Sequence, residues 1–318
     1  MPTRRLLSVP LVFILAPITL VTAPALLLLA WILSLHPKLR TLPHLVTFIC
    51  LFSWLEIIAL SKLLWPWIWH RDADLRLAGY YRAQLWWAEK LLQIGTWLFN
   101  LKFTITGEDA IAGPSAILIA RHASVGDNVL PLIFFGAARE APLRYILKKE
   151  LTWLPTLDFG GHALPNYFVD RSGLQTDKEI DAVGRLLTEA PEQDSLLIYP
   201  EGTRVTANKR DQLRDKPELV PLLDRWPDLL PPRLGGITRL LEVNDRRDVV
   251  MLCHSGFEGA SSIPDLMNGN WRNQEIRVHF WRIPYKEIGD DHKAFIYQQW
   301  DEMQNCVERL KTSLHESA

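Results

Sequence analysis

His122-Ala-Ser-Val-Gly-Asp127 sets an imidazole and a carboxylate at His-x4-Asp spacing, the residue types that a general base and its orienting partner require. On one continuous helix the two side chains would point more than about 100° apart, so they meet only across a turn. Gly126 is read as the residue that takes an unusual backbone conformation there, with Asp127-Asn128 opening a helix from Val129 to Phe135. Just upstream, Ala116 to Ala120 is a short apolar run between Gly113-Pro114 and the polar turn, the pattern of a buried strand that delivers the chain to a loop.

A second constellation, Tyr199-Pro200-Glu201-Gly202-Thr203-Arg204, follows the strand expected over Ser195 to Tyr199. Groups just past the carboxyl end of a strand project into the crevice where an α/β sheet binds ligands. Here they are a carboxylate, a flexible glycine, a hydroxyl and a guanidinium, and an arginine fork grips a phosphate in a geometry lysine does not reproduce. A third stretch, Tyr167 to Gly173, adds Arg171 at the end of a short apolar run. Taken singly, a strand-end arginine is more often a surface ion-pair partner, and a His and Asp at this spacing more often structural. Their combination in one sheet is what points to chemistry.

Composition narrows the classes. The 318 residues carry a formal net charge of -1, so no global basic field recruits nucleic acid, and any anion site is local. Cys50, Cys253 and Cys306 are far apart with no Cys-x-x-Cys spacing, which argues against a disulfide framework and a zinc site. A serine hydrolase built on Ser255 would need glycines where Cys253 and Phe257 stand. A metal hydrolase using His122, Asp127 and His162 lacks a His-Glu-x-x-His or comparable ligand cluster, so no metal is expected.

The positioning elements follow from hydrophobic pattern. Leu6 to Pro37 contains no Asp, Glu, Lys or Arg, longer than the roughly 20 residues that cross a hydrocarbon core. Thr41 to Ser61 is interrupted only by Glu56 and runs on to the Trp65, Trp67 and Trp69 cluster, which suits a headgroup boundary. Residues 1–70 are therefore expected to form a transmembrane helical hairpin with both ends in the cytoplasm by count of flanking Lys and Arg. Glu56 within it either has a functional partner or faces the neighbouring helix. Residues 71–100 read as an amphipathic connecting helix, lying on the membrane or on the soluble domain. Residues 101–318 read as an α/β catalytic domain with a mainly parallel or mixed sheet flanked by helices. Its strands are expected at Phe103–Thr106, Ala116–Ala120, Tyr145–Lys148, Ser195–Tyr199, Val249–Cys253 and Ile276–Phe280, and its helices at Val129–Phe135, Thr176–Glu189, Leu234–Val243 and Lys293–Ser313. Arg204 to Arg233, rich in charge and proline, reads as a long surface excursion.

In this order His122-Ala-Ser-Val-Gly-Asp127, Phe168-Val-Asp-Arg171, Glu201-Gly-Thr-Arg204 and Leu229-Leu-Pro-Pro-Arg233 resemble the four blocks of the glycerolipid acyltransferase family, which includes the PlsC-type 1-acylglycerol-3-phosphate acyltransferases. Lys148-Lys149-Glu150-Leu-Thr-Trp-Leu-Pro155 is most similar to the branch with lysocardiolipin acyltransferase. Two departures stand out: Arg121 precedes the histidine where the family commonly has asparagine, and Pro231-Pro232 is a loose fourth block.

The resemblance implies transfer of a fatty acyl chain from acyl-CoA or acyl-carrier protein to a lysophospholipid hydroxyl at a bilayer, with no resident cofactor. It gives His122 the role of base and Asp127 that of its partner. Arg204, with Arg171 in support, would bind the acceptor's phosphate, Glu201 and Gly202 would shape that pocket with Thr203 among the acceptor-binding residues, and Arg121 would bear on acceptor recognition. It also implies an integral protein of a bacterial inner membrane or an endoplasmic-reticulum-type membrane, its catalytic domain facing the cytoplasm.

Overall fold

Short runs rich in apolar residues build a seven-stranded sheet: β1 (Lys102–Thr106), β2 (Ala116–Ala120), β3 (Leu143–Lys148), β4 (Tyr167–Val169), β5 (Ser195–Ile198), β6 (Asp248–Ser255) and β7 (Glu275–Ile283). In the computed structural model, which describes residues 3–139, 141–170, 176–260, 263–269 and 271–315, the strand order is β1-β7-β6-β2-β5-β3-β4. Every neighbouring pair is parallel except β6 with β7, so β1 and β7 run against the other five. All six expected strands are present within a few residues of their predicted bounds, and β4 is an addition.

Period-two alternation sends β2 side chains into two separate cores. Ala116, Leu118 and Ala120 face a layer with Phe135, Trp87 and Ala88, while Ile117 and Ile119 pack with Val183, Leu187, Ile237, Leu240 and Trp300. The second layer is made by α6 (Thr176–Thr188), α9 (Leu234–Glu242) and α11 (His292–His315), close to the predicted helices. The first is made by α2 (Leu42–Trp69) and α3 (Ala73–Phe99), with α1 (Thr3–Leu33) packed outside on α2. Asp72 caps α3 through the Leu75 N–H at 2.9 Å, and Asn100, at φ 51°, ends it in the left-handed region. Tyr81, Trp87, Ala88 and Phe99 of α3 are buried, so this helix packs on the sheet's cover, resolving the choice its amphipathic pattern left open.

α1 and α2 pack against each other as a hairpin, and both are long and apolar enough to cross a membrane. The hairpin does not project freely. Arg4 and Arg5 each reach Asp158 of α5 (Pro155–Ala163) at 2.7 Å, and at the other end of α1 the link Pro37–Leu39 packs on α10 (Ile263–Asn268). Thr41 donates its hydroxyl to the Leu266 and Met267 carbonyls, and Leu63 lies against Gly160. Both ends of the hairpin thus rest on the catalytic domain. Glu56, buried in the middle of α2, accepts the Trp87 indole N–H at 2.9 Å and the Thr156 backbone N–H at 3.3 Å, a tie between α2, α3 and α5.

Two expectations change. The segment Val129–Phe135 is not one α-helix: a 3-10 turn over Gly126–Val129 leads into a π-helical turn over Pro131–Gly136 and a last short turn, α4 (Ala137–Arg139). Pro131 has no N–H for the helical ladder, which favours such a break. The excursion from Arg204 to Arg233 is also structured, holding α7 (Ala207–Arg214), a 3-10 turn and α8 (Val220–Arg225). Arg210 ties it down by donating to the Leu223, Trp226 and Leu229 carbonyls, and Trp226, Leu229 and Leu230 are fully buried.

Candidate active site

The carboxyl ends of β2, β3, β5 and β6 lie at one edge of the sheet, and the loops that leave them carry the candidate residues. β2 hands the chain to Arg121 and His122. His122 Nδ1 lies 3.0 Å from Asp127 Oδ1. Asp127 Oδ2 accepts the backbone N–H groups of Ala123 at 2.6 Å and Ser124 at 2.7 Å, so the carboxylate closes the turn that brings it back to the imidazole. Ser124 helps by accepting the Gly126 N–H and donating to the Ala260 carbonyl. Gly126 does not adopt a positive φ. Its lack of a side chain serves close packing instead: a Cβ there would sit 3.2 Å from the Phe257 ring.

A second imidazole, to which the sequence assigns only a structural place, completes the cradle. His254 is fully buried near the end of β6, with Nε2 3.4 Å from Asp127 Oδ2 and 3.2 Å from the Arg121 carbonyl. Burial alone would raise the Asp127 carboxyl, yet the charges and hydrogen bonds of His122 and His254 outweigh it and hold the group well below the usual carboxylate range. An ionised Asp127 keeps the proton of His122 on Nδ1, leaving Nε2 as the atom that can accept one. The Tyr199 ring lies 4.7 Å from the His122 ring and walls one side.

The Glu201 to Arg204 stretch is clamped to this turn. Glu201 Oε2 accepts the His122 N–H at 2.5 Å, Oε1 accepts the Leu230 N–H at 3.0 Å, and the Val205 N–H donates to the His122 carbonyl at 2.9 Å. Glu201 is thus a buried staple joining three of the sequence blocks, with both oxygens occupied by the chain itself. Burial pushes its carboxyl up to about 8 against the opposing pull of the Leu230 N–H, Arg121 and the His122 N–H.

Gly202, at φ 69°, turns the chain where an L side chain would be strained. A Cβ there would meet Arg233 Cδ at 2.9 Å, so the Arg233 side chain crosses directly over this glycine. Thr203 and Arg204 follow, half-buried, and the Arg204 guanidinium has no hydrogen-bond or ion-pair partner among the described residues. Arg233, Gly202, Tyr199 and Asp170 also border a cavity of about 210 Å³ at this edge. Arg171 lies outside the described residues.

Sequence reasoning gave Arg233 no role, although an arginine after Pro231-Pro232 and before a helix was a signal for it. Arg121 is buried, with its guanidinium on the Glu258 carboxylate at 2.7 Å and the His254 and Asp228 carbonyls. It braces β2 against β6 and does not reach the mouth where an acceptor would bind. His162 sits on α5 with Asp158 and stacks on Phe168, and Ser255 is buried with its hydroxyl unpartnered among the described residues.

Residues 102–232 match the acyltransferase family, a span that starts at β1 and takes in the His122, Phe168, Glu201 and Pro231-Pro232 blocks. Lysocardiolipin acyltransferase 1 of Gallus gallus is 23% identical over 238 residues, 68% of this chain and 62% of that protein. The 1-acyl-sn-glycerol-3-phosphate acyltransferase epsilon of Mus musculus is 34% identical over 96 residues, 29% of this chain and 26% of that protein. The chain is thus similar, over residues 102–232, to acyltransferases. The crystal structure of the 1-acyl-sn-glycerophosphate acyltransferase PlsC from Thermotoga maritima shares its fold, with a TM-score of 0.59 at 15% identity over 86% of this chain and 98% of that one. The chain spans under two thirds of the length of the two curated relatives.

Proposed function

We propose that this protein is a glycerolipid acyltransferase that moves a fatty acyl group from a thioester, acyl-CoA or acyl-carrier protein, to the free hydroxyl of a lysophospholipid, with 1-acyl-sn-glycerol-3-phosphate as acceptor and phosphatidic acid as product. The observation that carries this reading is the His122 and Asp127 contact, with the strand-end segment that holds Arg204 tied to the same turn by the Val205 N–H on the His122 carbonyl. His122 Nε2 takes the proton of the acceptor hydroxyl while its oxygen adds to the thioester carbonyl. Collapse of the tetrahedral intermediate expels the thiolate, which takes the proton back from the imidazolium, and ionised Asp127 stabilises that cation in between. The thioester is already activated, so no covalent acyl-enzyme is needed.

Arg204 receives the acceptor's phosphate, with Arg233 as a second cation across Gly202 and Thr203 as a hydroxyl donor. Arg171 keeps the supporting role that the resemblance gives it. Glu201 contributes by holding the His122 loop and the Leu230 segment in register, without touching the phosphate.

An apolar rim supports a bilayer-facing mouth. Val125 in the catalytic turn is 55% exposed and Trp153, just after β3, is 58% exposed. The Lys149–Trp153 turn packs against α1, whose Leu6 and Leu7 are also exposed, so one lipid-compatible surface runs from the hairpin to the site. Long-chain substrates then reach His122 without crossing water, from the cytoplasmic leaflet on this reading.

A second acceptor class is favoured by the match to lysocardiolipin acyltransferase over 68% of the chain. A panel of lysophosphatidic acid, lysocardiolipin and glycerol 3-phosphate with labelled acyl-CoA separates the choices. The proposal expects the highest kcat/KM on lysophosphatidic acid. Arg204→Lys should raise the acceptor KM about tenfold or more, because lysine keeps the charge but loses the bidentate fork. No transfer to any lysophospholipid would overturn the proposal.

A further inference from the structure

A groove of about 540 Å³ lies between the C-terminal half of α2 and the first half of α3. It forms because Gly79 has no side chain: a Cβ there would be 2.6 Å from the Pro66 ring, so α2 approaches α3 closely on the groove floor. Its walls hold Lys62, Arg82 and the His70 imidazole together with the indoles of Trp65 and Trp86. Lys62 Nζ sits 4.6 Å from the centre of the Trp86 ring. Arg82 has no hydrogen-bond or ion-pair partner among the described residues, and no carboxylate lines the groove.

The surroundings indicate what chemistry fits. Leu64, Trp65, Trp67, Ile68 and Trp69 are all exposed on α2 next to these cations. Exposed indoles and apolar side chains beside Lys and Arg are the composition of a headgroup boundary, where basic pockets between helices bind anionic lipid headgroups. The groove is also separate from the acyl-transfer site. Tyr81, in the same turn of α3, donates to the Ala141 carbonyl two residues before β3 begins, at the edge of the sheet opposite His122.

We infer that this groove binds an anionic glycerophospholipid of the bilayer, its phosphate among Lys62, His70 and Arg82 and its glycerol and upper acyl chain along Trp65 and Trp86. The bound lipid anchors the junction of α2 and α3 in the headgroup layer and so helps set the domain's orientation on the membrane. This site does not depend on the acyl-transfer reading, because occupancy is measured without turnover.

The test uses the purified full chain and phosphatidylcholine vesicles with or without phosphatidylglycerol, some of it photoactivatable. Wild-type protein should prefer the anionic vesicles and crosslink within residues 58–86. Lys62→Ala and Arg82→Ala should each cut that preference about fivefold, the usual worth of one interfacial cation, and the double variant should lose the crosslink. Lys62→Arg and Arg82→Lys, which keep the charge, should retain both. The inference is overturned if the double variant keeps its preference, if crosslinks fall only on α1 or the Val125 and Trp153 rim, or if the charge-keeping variants fail alike. It is overturned equally if free inorganic phosphate displaces the photoprobe, or if the double variant loses only binding of an acidic acyl-carrier protein.

Discussion

Asp127→Asn separates the charge of the catalytic partner from its shape. In the native turn Oδ2 takes two backbone N–H groups, at 2.6 and 2.7 Å, while Oδ1 faces His122 Nδ1 at 3.0 Å. An asparagine has a single acceptor oxygen, and two backbone donors outcompete one imidazole donor for it. Its NH2 then points at His122, and since two donors do not share one contact, Nδ1 gives up its proton and Nε2 carries it. The atom that should accept the acceptor's proton is thereby filled. The same exchange in Ser-His-Asp enzymes costs about 10⁴ in kcat, or about 5.4 kcal/mol of barrier. The assay is steady-state transfer of labelled acyl chain to lysophosphatidic acid, with kcat and KM resolved separately. The loss should lie in kcat, because Asp127 is 1% exposed and touches no substrate. A fall below about tenfold, or one confined to KM, would refute the tautomer argument.

Three other outcomes follow from the site. Gly202→Ala forces a side chain into φ 69° and against Arg233, and should cost about 1 kcal/mol of stability while raising the acceptor KM, read by melting and kinetics. Glu201, near 8 in the fold and about 4.5 when unfolded, holds a proton in the native state that the unfolded chain releases between these values. That stabilisation is complete below about 4.5 and is lost as pH rises through 8, so the wild-type melting temperature should fall relative to Glu201→Gln across this window. Parallel melting profiles would contradict it. Ser255→Ala should leave acyl transfer within about twofold of wild type, since that hydroxyl lies buried on β6; loss of activity would revive a serine nucleophile.

The sheet was legible because its strands are short apolar runs between turn residues, and the β2 run alone predicts burial on both faces. β4 was hidden because three residues, Tyr167 to Val169, carry too little pattern, and its pairing with β3 is a tertiary fact. The His122 and Asp127 meeting was readable from spacing, but its means were not. The positive φ expected at Gly126 belongs to Gly202, and the contact that requires Gly126 comes from Phe257, distant in sequence. Glu201 read as a wall of the acceptor pocket because sequence shows a carboxylate's position and not its partners; both oxygens are spent on backbone N–H groups. Arg121 was misjudged for the same reason, since its contact with the His254 carbonyl forms only when β2 and β6 pair.

The claim most exposed to test is that His122 is the base of an acyl transfer to a lysophospholipid. Purified wild-type and His122→Ala proteins, each given labelled acyl-CoA and lysophosphatidic acid in the same vesicles, measure it directly. Labelled phosphatidic acid should accumulate with the wild type and be lost with His122→Ala while the variant still binds the vesicles. Equal product from both proteins would contradict the account.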